Sequence, residues 1–141
     1  MIGKSIHEIS IGDFASFQKT ITETDVYMYA GVTGDLNPVH INSVHAEDSM
    51  FKERIAHGML SAGLISAVLG LQLPGPGTIY LSQSLKFTAP VRIGDTVQAR
   101  VEVIEKTDSK NRLRLKTVCM NQNGEMVLTG EAVVMPPKVD S

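Results

Sequence analysis

Asp35 and His40 stand five positions apart in the run Gly34-Asp35-Leu36-Asn37-Pro38-Val39-His40. A carboxylate and an imidazole are the side chains best suited to moving protons near neutral pH. Pro38 lies between them, fixes its own φ and biases Asn37 to extended geometry. By composition the run is therefore a pinned loop whose two ionisable groups can face one small space. The same two residues also suit a turn cap and a packed or solvated histidine. A second feature is Ala56-His57-Gly58-Met59, where a long apolar run begins. The first N–H groups of a helix lack internal partners and sit at the positive end of its dipole. Gly58 has no side chain to block a ligand from such an N–H, a donor that suits a carbonyl oxygen gaining negative charge. Close packing at a helix start would ask for a glycine there too. Ser66 is two turns further along. A buried hydroxyl there either bonds the Ala62 carbonyl one turn back or faces the loop to orient Asp35 or water. Ser61 reads similarly, with a weaker claim.

These groups need elements to hold them. Residues 13–21 alternate loosely as a strand. Thr22 followed by Asp25 resembles a capping box, which predicts a helix over 23–31, ended by Gly31 or Gly34. Ser43 could cap a short helix through Ala46, Glu47 and Met50. Residues 56–71 are apolar on nearly every side, the pattern of a buried helix, and Pro74-Gly75-Pro76-Gly77 stops it. The second half alternates with period two, as strands with one dry face do. Asn123-Gly124 marks a hairpin turn, and the last run, 126–135, ends at Pro136-Pro137. One long buried helix against four or five largely antiparallel strands is an α+β fold, expected as a single domain over 1–141. Its sheet edges need covering, and edge-to-edge dimerisation would cover them.

Composition narrows the classes. Hydrophobic residues at 43% and charged residues at 20% describe a globular chain. The net charge is −2 with no basic run, unlike a nucleic-acid binder. The apolar stretch 59–73 is broken by Ser61, Gly63, Ser66, Gly70 and Gln72, too interrupted to span a bilayer. The N-terminal residues carry no secretory pattern. Cys119 is the lone cysteine, which predicts a reducing compartment and a buried apolar role. His40, His45 and His57 show no helical i, i+4 pair, so no metal site is expected. His45 and His7 are expected to be exposed.

The motifs resemble a known family. Segment 29–40 (YAGVTGDLNPVH) is similar to the signature of the (R)-specific enoyl-CoA hydratases, a MaoC-like family with the hotdog fold. The resemblance continues through 54–60 (RIAHGML), 73–87 (LPGPGTIYLSQSLKF) and 90–95 (PVRIGD), in order, across most of 20–105. It implies an antiparallel sheet wrapped around one long buried helix. It also implies a cytoplasmic hydro-lyase adding water reversibly, in syn fashion, to trans-2-enoyl-CoA. Asp35 and His40 would be the catalytic pair, Gly58 N–H the thioester carbonyl donor, Ser66 a residue lining the site and Asn37 a loop-shaping one. The partners implied are the acyl-CoA substrate and a second copy in a homodimer, with no nucleic acid, membrane, metal or separate cofactor. Roles in fatty acid metabolism and polyhydroxyalkanoate precursor supply follow from the same likeness. Two alternatives share the fold: an acyl-CoA thioesterase and a non-catalytic acyl-thioester-binding subunit. Lys52, Arg54, Lys86 and Arg92 could meet a nucleotide phosphate or simply be solvated.

Overall fold

The computed structural model describes residues 2–138. Met1 and residues 139–141, the ends of the expected 1–141 domain, lie outside that range. The order is β1 (Phe14–Thr20), α1 (Glu23–Thr33), α2 (Pro38–Ile41), α3 (Ser43–Glu47), α4 (Gly58–Leu71), β2 (Ile79–Gln83), β3 (Lys86–Phe87), β4 (Thr96–Thr107), β5 (Arg112–Met120) and β6 (Met126–Met135). The sheet runs β1-β4-β5-β6-β2, with the two-residue β3 also paired to β6, and every pairing is antiparallel. This is the expected α+β arrangement, with six strands because the stretch 79–87, alternating throughout, breaks at Ser84 and Leu85 into β2 and β3.

Period two becomes burial along β4, where Val97, Ala99, Val101 and Val103 are fully buried between half-covered polar neighbours. Leu113 and Leu115 do the same on β5. Onto this dry face α4 lays Leu64, Ile65, Val68 and Leu69, and Leu128 and Val134 of β6 complete the cluster. Each such side chain contributes roughly 1.5–3 kcal/mol of transfer free energy. One sheet layer covers one side of a helix only. Met59 and Leu71 consequently stay 51% and 72% exposed, so α4 is not buried all round within this chain.

Local chemistry sets the boundaries near the site. Thr22 caps α1 with the reciprocal Asp25 contact expected from the sequence. The helix runs past Gly31 to Gly34, which takes φ +81° and donates its N–H to the Ala30 carbonyl at 2.9 Å. The expected loop 34–40 contains a turn of helix, α2. Proline is tolerated at a first helical position, and the Asn37 side chain caps the turn by accepting from Val39 N–H at 3.3 Å. Asn42, not Ser43, caps α3 by accepting from His45 N–H at 3.0 Å. An asparagine side chain reaches that N–H as well as a serine does. The segment before α4 is fastened on both sides: Ala56 N–H donates to Val91 O at 2.7 Å and Ile55 N–H to Val39 O at 3.3 Å. Among the described residues no helix is long and apolar enough to cross a membrane.

Candidate active site

His40 sits near the end of α2, 8% exposed, with Nδ1 2.7 Å from the Ile55 carbonyl oxygen. A carbonyl only accepts, so Nδ1 carries the proton, and in the neutral ring Nε2 has a bare lone pair. His57, the N-cap residue of α4, is 2% exposed, and its Nε2 lies 3.0 Å from the main-chain oxygen of Asp35. The two imidazoles stack with centroids 3.8 Å apart and planes at 31°. Tyr29 leans on the other histidine ring at 4.6 Å. Asp35 is exposed at the rim, where its Oδ1 accepts from Asn37 N–H at 3.3 Å. One carboxylate oxygen of Asp35 and one ring nitrogen each of His40 and His57 all fall within 4.8 Å of one another. A single water can bridge polar atoms at that separation.

Three donors this close also raise the question of a metal. Imidazole binds an ion through a lone pair lying in the ring plane. His40 Nδ1 is taken up by the Ile55 carbonyl and His57 Nε2 by the Asp35 carbonyl, which leaves one nitrogen of each ring without a bond.

Behind the pair opens a cavity of about 440 Å³, lined by His40, Gly58 and Ser61 together with Phe51, Phe87 and Val91 among others. Gly58 is the first residue of the 14-residue α4, so its N–H is at the positive end of the helix dipole and free of intrahelical bonding. A Cβ built at Gly58 would come within 2.6 Å of the Phe87 ring. The close-packing reading of this glycine holds, and the residue also lies on the cavity wall.

The expected residues do not all converge. Asp35, His40 and Gly58 are brought together, and Asn37 shapes their loop as a cap. Ser66 is exposed, not buried, and lines a second concavity of about 420 Å³ with Tyr80, Leu81 and Gln83. Met59 lines both concavities. Ser61, the serine with the weaker claim, is the buried one, and its Oγ has no hydrogen-bond partner. Helical phase could have revealed this, because 61, 64, 65 and 68 form one stripe and 66 lies off it. The near-uniform apolarity of the run concealed that stripe. His57 is the other residue whose part was missed. It was visible beside Gly58, but no spacing signals a bond to a residue 22 positions earlier.

The remaining candidates are more ordinary. Burial pushes the Cys119 thiol up to about 12, which removes it as a nucleophile. Arg54 is bound to Glu23 at 2.6 Å and Tyr27 at 2.8 Å, and its bond holds the Glu23 carboxyl below the usual range. Arg92 pairs with Glu53 at 2.7 Å. Of the four cations considered for a phosphate, Lys52 and Lys86 have no ion pair among the described residues. His45 and His7 are exposed.

Comparison with known proteins bears on this geometry. Residues 12–123 match the model of the family described as MaoC like domain. The chain is 55% identical over 130 residues to an (R)-specific enoyl-CoA hydratase of Rhodospirillum rubrum, covering 92% of this chain and 90% of that one. It is 48% identical over 131 residues to a 3-hydroxybutyryl-CoA dehydratase of Methylorubrum extorquens, covering 93% and 83%. The solved structure of R-hydratase PhaJ1 from Pseudomonas aeruginosa superposes with a TM-score of 0.92 at 47% identity, covering 97% of this chain and 88% of that one.

Proposed function

Because this chain belongs to the MaoC-like domain family, we propose that it catalyses the reversible syn addition of water to trans-2-enoyl-CoA, giving (R)-3-hydroxyacyl-CoA, with Asp35 and His40 as the acid–base pair. The observation that carries this reading is the joint placement of three groups. A carboxylate oxygen of Asp35 and a ring nitrogen of His40 lie within 4.8 Å of each other, and His40 lines the same cavity as Gly58 at the N-terminus of α4.

An ionised carboxylate and a neutral imidazole nitrogen both accept hydrogen bonds. A water between them gives one hydrogen to Asp35 and one to His40 and keeps a lone pair for C3. As the oxygen–C3 bond forms, the pair takes one proton from the water and the π electrons of C2=C3 move onto the thioester oxygen. Gly58 N–H receives that charge. When the enolate collapses, the pair returns one proton to C2 on the face the oxygen entered. The step balances: hydroxyl on C3, hydrogen on C2. Acid–base groups contribute about 10²–10⁴-fold and an oxyanion donor roughly 10²–10³-fold. No cofactor is needed beyond the coenzyme A already in the substrate.

An acyl chain extending past Met59 reaches the second concavity, which makes Ser66 a contact for longer chains. That concavity lies against β2, an edge strand whose residues 79–82 are exposed and include Ile79, Tyr80 and Leu81. A second copy paired along β2 would cover this edge and close the concavity, so the working form is a homodimer. The enzyme acts in the cytoplasm and supplies (R)-3-hydroxyacyl-CoA for polyhydroxyalkanoate formation.

The test follows loss of enoyl absorbance with C4 to C12 trans-2-enoyl-CoAs, with chiral analysis of the product. An (R)-3-hydroxy product from wild type, with activity lost in Asp35→Asn and His40→Gln, is expected. An (S) product, or release of free coenzyme A thiol without hydration, would overturn the reading.

A further inference from the structure

His57 is buried to 2% exposure at the start of α4, and its Nδ1 has no hydrogen-bond partner. Its other nitrogen, Nε2, meets a main-chain carbonyl. These two facts select one state of the ring. With the proton on Nδ1, a buried N–H would be orphaned, and the Nε2 lone pair would face the lone pairs of the Asp35 oxygen. Doubly protonated, the ring would bury a charge and the same orphaned N–H. Buried donors without partners are rare and costly. His57 is therefore neutral, with its proton on Nε2.

In that state the ring touches both members of the pair. Its N–H holds the backbone of Asp35, and its face lies 3.8 Å from the ring of His40. The Asp35 main chain has one other tie from a different kind of group, its own N–H to Thr33 Oγ1 at 3.2 Å, made within the same exposed loop. The bond from His57 links this loop to the start of the helix packed on the sheet. An apolar ring would fill the space equally well, and an amide would make the bond equally well. Imidazole does both.

We propose that His57 is a positioning residue for the reaction, setting the separation of the Asp35 carboxylate from His40 by bonding the Asp35 carbonyl and stacking on the His40 ring. This rests on the acid–base reading of Asp35 and His40 given above. His57 does not exchange protons with substrate. Its bond governs kcat because a misplacement of about 1 Å at a reacting centre can cost on the order of 100-fold. Binding of the acyl chain, made elsewhere in the cavity, is left largely alone.

Two substitutions separate the contacts. His57→Gln keeps an N–H donor near the Nε2 position and gives up the ring, whereas His57→Phe keeps a ring and gives up the donor. In crotonyl-CoA hydration, His57→Phe is expected to lower kcat by about 30-fold, and His57→Gln by about threefold, with KM within about twofold in both. Long-range ¹H–¹⁵N correlation spectra of the unmodified protein provide a reading that no folding defect can cloud. They are expected to show His57 as the neutral Nε2–H form and His40 carrying its proton on Nδ1. Wild-type kcat in a folded His57→Phe, equal losses in both variants, or His57 in any other protonation state would each overturn the proposal. Asp35→Asn and His40→Gln are assayed beside them. If those two retain turnover, the acid–base reading itself fails; if they lose it while His57→Phe does not, only the positioning role fails.

Discussion

The two faces of α4 carry a serine each and meet different surroundings. One face holds Ser61, Leu64, Ile65, Val68 and Leu69 against the sheet, and its N-terminal end runs directly into His57 and the cavity beside His40. The other holds Met59, Gly63 and Ser66, all exposed, and opens toward the edge strand β2. A single sheet can dry only one face of a helix, and here the dried face is the one continuous with the chemistry. Close packing resists displacement, so the core that stabilises the fold also holds the groups that would move protons. The exposed face has no such backing in this chain, and its role is one of shape, where a longer acyl chain or a second copy would meet it.

The largest test of this contrast is at the buried end. His40→Gln is expected to reduce crotonyl-CoA hydration by about 10²–10⁴-fold, and Asp35→Asn by a similar order, with unchanged circular dichroism. Near-native turnover in either would detach the chemistry from this end of α4. Next comes stability along the helix. Leu69→Ala should cost about 2–5 kcal/mol in urea denaturation, whereas Leu71→Ala, two positions on, should stay within about 0.5 kcal/mol. Equal costs would mean that Leu71, exposed at the end of α4, is as well covered as Leu69. The serines give a finer reading. Ser61→Ala removes a buried hydroxyl with no partner and should raise stability by about 1 kcal/mol; a loss would reveal a bond that the hydroxyl makes. Ser66→Ala should leave the C4 substrate unchanged and shift KM for C8 and longer chains by about twofold. If the C4 substrate suffers most, Ser66 belongs to the reacting centre instead.

The smallest effect concerns Cys119, whose Sγ–H donates toward the Ser61 carbonyl at 3.6 Å. Because burial raises this thiol to about 12, it should not react with a thiol reagent at pH 8 until the protein unfolds. The sign of the linkage follows. The folded value lies above the unfolded one of about 8.5, so the associated stability is fully present below that pH and is lost as pH rises toward about 12. Rapid labelling of the folded protein at pH 8 would contradict the burial.

Most of the elements were legible because their signals are local. Thr22 and Asp25 announce the cap of α1, Pro74 to Gly77 end the helix before them, and alternation from 97 to 103 maps directly onto a buried face. Alternation runs through 79–87 without marking the break that makes β3 a separate strand, and it could not show the helical turn begun by Pro38, since a proline at a first helical position looks like one in a loop. At the site, the motif around Asp35, His40 and Gly58 was readable from its residue types and order. Ser66 was misjudged as buried because a run apolar on nearly every side hides which side meets the sheet.

What the sequence determined by itself, then, was the chemistry available: a carboxylate, an imidazole, a helix-start glycine and the alternating strands that make one dry surface. These depend on residue identity and short spacing, which the chain carries in linear form. Only the tertiary structure decided the tautomer of His40, the burial of Ser61 over Ser66, and the meeting of His57 with Asp35. Each of those depends on where a backbone carbonyl or a sheet face arrives after folding. Ile55 reaches His40 across 15 positions and Asp35 reaches His57 across 22. Packing, rather than periodicity, brings such pairs within hydrogen-bond distance.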